Sequence, residues 1–310
     1  MKMRSHRRSG TASVTAVNRY FGNIGDVWKH LVLAELIGLE PPRHYWETHA
    51  GSASYPLTHS PDRDYGVYRF LDRIERVPAL ASSRYARELE RLSDRREAPA
   101  EYPGSALLAM RMLGSNADYL LCDLDADSVS SLRKAAAGLG LSDREVVRRA
   151  DGMTTVLDEA GKLDGKPMQV VVTIDPFQPF EVAGGVSALE VAARLIEDGF
   201  RVIYWYGYDS PEQRAYPVGM LREWARESGA TVWCGDLMLV AAAGHSEQEV
   251  EELLAGAEGP GAGCGVVCGN FLSSSLDRCR ELGEALAECW KDARLPNGSP
   301  GALELLAIES

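Results

Sequence analysis

Four acidic residues stand where β-strands are expected to end: Glu47, Asp123, Asp151 and Asp175. One carboxylate in such a place is commonplace, and a single Asp reads equally well as a helix N-cap. Four at successive strand ends put their oxygens along one rim of an open α/β sheet, where such sheets bind ligands. Asp123 suits a ribose diol, because it can accept from both hydroxyls; Asp125 and Asp127 stand close by if the register differs. Asp151-Gly152 suits the edge of an adenine, through carboxylate and backbone together. His49-Ala50-Gly51-Ser52 follows Glu47, and a glycine in such a loop lets the backbone approach a ligand closely. Trp205-Tyr206-Gly207-Tyr208 ends a further strand and walls either a substrate pocket or the core.

These residues need elements to hold them. Apolar spacing predicts a helix over 18–40, with Lys29 and His30 beside its apolar face, and then a strand over 44–50. A charged, helical segment over 56–103 reads as an insertion after that strand, and it accounts for an interval between Glu47 and Asp123 far longer than the ~20 residues of a simple βαβ unit. A short helix over 107–113 follows. Strands are then expected over 119–124, 145–149, 168–174, 201–206, 231–241 and 265–270, alternating with helices. The run 168–174 is continuously apolar, which suits a central strand covered on both faces. Seven strands alternating with helices predict a three-layer α/β domain over 18–310, behind a mobile arm over 1–17.

Composition narrows the class. With 45% apolar and 25% charged residues among 310, the chain matches an ordinary soluble globule. A net charge of −12 argues against a surface built mainly to neutralise phosphates. The six cysteines show no C-x-x-C pair or zinc spacing, so buried thiols and no metal are expected, in a reducing cytoplasm. No run of eighteen apolar residues exists, and no membrane span is expected. His6, His44, His59 and His245 read as exposed or capping residues.

The order of several landmarks resembles a known family. Gly22-Asn23-x-x-Asp26-Val27-x-Lys29-His30, Thr48-His49-Ala50-Gly51, Tyr102-Pro103-Gly104-Ser105, Ala150-Asp151-Gly152, Ile174-Asp175-Pro176 and Trp205-Tyr206 resemble the bacterial large-subunit ribosomal RNA adenine-N6 methyltransferases of the RlmJ type. The resemblance implies a class I S-adenosylmethionine fold, Rossmann-like, with seven strands, the last antiparallel, and a small helical insertion after the first. It puts Lys29, His30, His49, Gly51, Ser105, Asp123, Asp151 and Gly152 at cofactor-binding positions and Asp175 at the catalytic one. Pro176, Phe177, Gln178, Trp205 and Tyr206 fall on the substrate side.

The departures are specific. The family's Asp-Pro-Pro-Tyr stands here as Asp175-Pro176-Phe177-Gln178, so the stacking ring is gone from its place, and Phe177 or Phe180 replaces it only by a shifted backbone. The family's Glu after the second strand is Asp123, its Tyr-Arg-His element has no counterpart before Gly22, and Gly207 replaces a proline. Together with the acidic balance these changes favour N-methylation of a small molecule in a specialised biosynthetic pathway. The alternatives are a retained RNA adenine-N6 methyltransferase and a cofactor-binding scaffold without catalysis.

Overall fold

The computed structural model describes residues 20–93, 99–163, 165–179, 182–183, 185–254 and 261–309. The arm expected over 1–17, and Phe180, lie outside them. One sheet dominates, built from β1 (His44–Glu47), β2 (Asp118–Asp123), β3 (Glu145–Arg149), β4 (Val170–Ile174), β5 (Arg201–Tyr208), β6 (Val232–Leu239), β7 (Gly263–Gly269) and β8 (Leu303–Glu309). Their order across the sheet is β8-β6-β7-β5-β4-β1-β2-β3. The five strands from β5 to β3 run parallel. β7 lies antiparallel between β5 and β6, and β8 is antiparallel to β6.

All five residues of β4 are buried, which is what a strand covered on both faces requires. The expected seven strands are thus joined by an eighth. Leu303–Glu309 is rich in Leu, Glu and Ala, and pairing with β6 overrides that helical composition.

Helices along the sheet include α1 (Ile24–Leu39), α2 (Ser105–Leu113), α3 (Ala126–Gly138), α4 (Gly152–Ala160), α5 (Ala188–Glu197), α6 (Pro211–Ser228) and α7 (Ser273–Trp290). Asn23 caps α1 by accepting from the Asp26 amide. α1 is buried on nearly every side, including Lys29 and His30, which the sequence places beside its apolar face. A helix buried all round normally carries only apolar side chains, so its polar ones need partners. Glu35 has them in Arg84 and Arg278.

Between β1 and α2 the chain leaves the sheet through a two-stranded ribbon, Ser54–Pro56 against Glu101–Pro103, with Tyr55 opposite Tyr102. The short helices Arg69–Arg73, Pro78–Ala81 and Arg84–Leu92 lie beyond it. Their Phe70, Leu80, Tyr85 and Leu89 are buried in the same core as α1.

Candidate active site

The chain turns sharply after β1, and that turn organises the site. Glu47, the last residue of β1, is fully buried; Ser105 Oγ and Tyr45 OH both donate to it. Burial pushes its carboxyl up to about 8, against the pull of those two hydrogen bonds. Glu47 therefore stands behind the cleft rather than in it. Beyond it, Gly51 adopts φ +59°, a conformation that favours glycine. Its N–H donates to Asp123 Oδ2 at 2.8 Å, while Asp123 Oδ1 accepts from the Asp125 amide at 2.8 Å. The carboxylate at the end of β2 thus holds the loop that follows β1.

Gly152 shows the same closeness. A Cβ there would lie 1.9 Å from the Thr48 carbonyl oxygen, so only glycine lets the start of α4 reach the loop. Asp151 caps α4 by accepting from the Thr154 amide at 2.7 Å, so the N-cap reading and a place on the cleft both hold for it.

Two histidines lie close to the cleft. His30 Nδ1 sits 3.0 Å from Tyr102 OH, and burial with the adjacent Lys29 charge lowers its pKa to about 3, so it is a neutral imidazole. His49 contacts Thr48 Oγ1 through Nδ1 at 2.7 Å, and burial lowers its pKa despite Asp175, Asp123 and Asp151 around it.

The acidic end of β4 meets α1 here. Lys29 Nζ lies 2.5 Å from Asp175 Oδ2 and 2.9 Å from Asp26 Oδ1. Burial alone would pull the ammonium's pKa down; the Asp175 and Asp26 carboxylates outweigh it and hold the pKa above its ordinary value. Lys29 Nζ also stands 5.8 Å from the Trp205 ring. Past Asp175, Phe177 is exposed and its ring centroid lies 6.0 Å from that of Tyr20. Tyr204 OH ties this loop to β5 by donating to the Pro179 carbonyl at 3.0 Å.

A single cleft of about 1770 Å³ collects these groups. Lys29, His30, His49, Gly51, Ser105, Asp123, Asp151, Gly152, Asp175, Pro176, Phe177, Gln178 and Trp205 all line it. Tyr206 does not. It is fully buried, and its hydroxyl donates to Asp236 at 2.5 Å, where Arg214 Nε also donates at 2.8 Å. Period-two alternation along β5 turns Tyr206 away from the face that carries Trp205. Asp26, Tyr20 and Tyr216, to which the sequence alone assigns no role, also line the cleft. Asp26 was legible as the i−3 partner of Lys29 on a helix. The other two come to the cleft only through the fold. Among the described residues no group of three or more His, Cys, Asp or Glu is placed to hold a metal ion, and no helix is long and apolar enough to cross a membrane.

Five parallel strands, an antiparallel one tucked in before the sixth, and a cleft at the strand ends define a class I S-adenosylmethionine-dependent methyltransferase. The family model described as "Ribosomal RNA large subunit methyltransferase D, RlmJ" matches residues 40–213, more than half of the chain, and the chain belongs to that family. Among solved structures it is similar to protein LPL1258 from Legionella pneumophila, assigned to DUF519: 20% identity over 94% of this chain and 98% of that one, with a TM-score of 0.68. That likeness is one of fold. A putative O-methyltransferase from Klebsiella pneumoniae is looser, at 12% identity, 78% of each chain and a TM-score of 0.40. So is the N-terminal domain of human METTL16 in complex with SAH, at 12% identity, 80% of this chain, 71% of that one and 0.38. No curated protein matches the chain.

The cleft fits the family's cofactor. A Cβ at Gly51 or Gly152 would meet Tyr55 OH or the Thr48 carbonyl, so the two glycines let the loop after β1 and the start of α4 close together on the cleft wall. Seven aspartates line the cleft, and they suit a ligand carrying a sulfonium and an ammonium.

Proposed function

We propose that this enzyme methylates the exocyclic amine of an adenine in ribosomal RNA, with Asp175 as the catalytic residue. The carrying observation is Asp175 itself, at the cleft end of β4, followed by Pro176 and an exposed aromatic ring at Phe177. Family membership supports RNA as the acceptor. The small-molecule acceptor expected from the net charge and the altered motif has no support from the family. The aspartate-rich lining is the observation that still speaks for it.

S-adenosylmethionine supplies an electrophilic sulfonium methyl. Asp123 would accept from the ribose hydroxyls, Asp151 and Gly152 would meet the adenine edge, and His49, Gly51 and Ser105 would border the amino-acid end. On the acceptor side, an aromatic amine is a poor nucleophile because its lone pair is delocalised into the ring. Asp175 and the Pro176 carbonyl would accept its two protons and draw the nitrogen toward a tetrahedral geometry. That nitrogen would take the methyl, the S–C bond pair staying with sulfur, and Asp175 would pass the surplus proton from nitrogen to water. Lys29 stays charged throughout and is not the base. With Asp26 and Asp175 it leaves one net negative charge at the end of β4, which would favour positive charge developing on the acceptor nitrogen. Phe177 would stack on the flipped base in place of the family's tyrosine.

The test offers deproteinised large-subunit ribosomal RNA and a metabolite extract with methyl-labelled cofactor, followed by mapping of the label. Label at a single RNA adenine is expected. Label in the extract and none in RNA would overturn the reading in favour of a small molecule.

A further inference from the structure

Among the large apolar and aromatic side chains exposed in the described residues, three are aromatic: Tyr20 and Phe177, each 64% exposed, and Tyr216, 55% exposed. All three line the one cleft. Exposed aromatics scattered singly over a surface need no explanation, but three gathered on one rim do. Tyr20 and Phe177 form a pair at 6.0 Å. Tyr216 comes from a different element, the second turn of α6, just past a first turn that is tied down. Ser210 caps α6 by accepting from the Gln213 amide, and Arg214 anchors the same turn to the fully buried Asp236, which Tyr206 also holds. The Tyr206–Asp236–Arg214 network thus fixes a helix that presents a ring to the acceptor.

The charges around the rim decide what those rings can receive. Lys29 and Arg63 are the cationic Lys or Arg side chains of the lining, against seven aspartates. Lys29 is committed to Asp175 and Asp26, and the Arg63 guanidinium lies 4.6 Å over the Phe21 ring while its Nε donates to the Thr58 carbonyl. Such a lining repels phosphates and leaves base faces as the groups that can be bound.

Building on the RNA reading above, we infer that the rim grips an unpaired strand on two sides of the target. Tyr20 and Phe177 hold the target base, Tyr216 receives a neighbouring base, and the phosphates stay outside the cleft. The acceptor is therefore single-stranded at the target and at one or more flanking nucleotides. Binding rests on stacking rather than on counterion release, so it depends little on salt.

The probe is a fluorescein-labelled oligoadenylate of about 12 nucleotides, within the range that single-strand sites cover, followed by anisotropy with saturating S-adenosylhomocysteine. Free strand is expected to bind at least about 10-fold more tightly than the same strand annealed to oligouridylate. Tyr216→Ala should weaken the free strand about 10-fold, the scale of one lost base stack, and Tyr216→Phe should restore it. The log–log slope against salt should stay below about 2, fewer than three phosphates neutralised. Equal affinity for strand and duplex, an unaffected Tyr216→Ala, or a slope of about 5 would each overturn the inference. The labelling experiment separates the two readings. Wild-type label in RNA with an unaffected Tyr216→Ala overturns the rim alone, whereas no label in any RNA overturns the RNA reading and the rim with it.

Discussion

A positive charge buried between two carboxylates couples stability to chemistry at one residue. Lys29→Ala would leave Asp26 and Asp175, 13% and 19% exposed, facing each other without their counter-charge. Breaking such a pair costs about 3 kcal/mol or more. Lys29→Ala is therefore expected to lower the melting temperature and cut kcat, with S-adenosylhomocysteine affinity changed by less than about 0.5 kcal/mol. Affinity lost with kcat intact would make Lys29 a cofactor ligand instead. Asp175→Asn keeps the shape but removes the charge, so a rate loss on the order of 10²-fold is expected without a change in cofactor affinity by calorimetry. Glu47 gives a pH signature. Its carboxyl is raised to about 8 from 4.5, so its contribution to stability is complete below pH 4.5 and is lost as pH rises through 8. His30 works in the opposite sense, lowered from 6.5 to about 3, with its contribution complete above 6.5 and lost on acidification. Between pH 6.5 and 8 only Glu47 of the two changes. There the wild type should lose stability on the order of 1 kcal/mol per pH unit relative to Glu47→Gln, read from denaturation midpoints at several pH values.

At the scale of elements, β1, β2 and β4 were legible because they are short, largely apolar runs that end on, or just before, Asp or Glu. The run at Val170–Ile174 needs no context to read as a central strand. Leu303–Glu309 does, since its composition is that of a helix and only the open edge of β6 makes it a strand. Tyr206 was misread for a simpler reason. Trp205 and Tyr206 are neighbours in a strand and cannot share a face. Applying that alternation to Trp205 would have sent Tyr206 to the far side, where Asp236 and Arg214 wait. The close approach of α4 to the loop after β1 was invisible, because a glycine after an aspartate marks a turn without saying what packs on it. Gly152→Ala tests that approach. The added Cβ would meet backbone 1.9 Å away at Thr48, so the helix must shift; a loss of about 1–3 kcal/mol in stability and at least 10-fold in S-adenosylhomocysteine affinity is expected. Gly138→Ala in α3, where nothing lies within 4 Å, is the control and should leave both unharmed or gain a few tenths of a kcal/mol.

For the whole molecule, the net charge of −12 argues against a surface built mainly to neutralise phosphates, and a total of that kind says little about which base one cleft can take. Charge summed over a surface governs non-specific attraction to a phosphate backbone, whereas an acceptor base is chosen by the few groups lining one cleft. The acidic lining has its first use on the cofactor side, where it meets a cation, and the same lining ties cofactor binding to the stability of the whole fold. Asp123 holds the loop after β1 through the Gly51 amide and the start of the next loop through the Asp125 amide, so a ligand gripping Asp123 fastens two strand ends together. S-adenosylhomocysteine at about 100 times its Kd should add about 2.7 kcal/mol to the unfolding free energy. For a chain of this size that corresponds to a rise in melting temperature of roughly 4 °C. Asp175→Asn should show the full rise, since the role proposed for its carboxylate is on the acceptor side. Asp123→Ala should show little or none at the same concentration, and its ligand-free melting temperature should already be lower, since two backbone amides lose their acceptor. Equal rises in wild type and Asp123→Ala would mean that the ribose is held elsewhere on the rim, and the assignment of the strand-end carboxylates would have to be redrawn from Asp151.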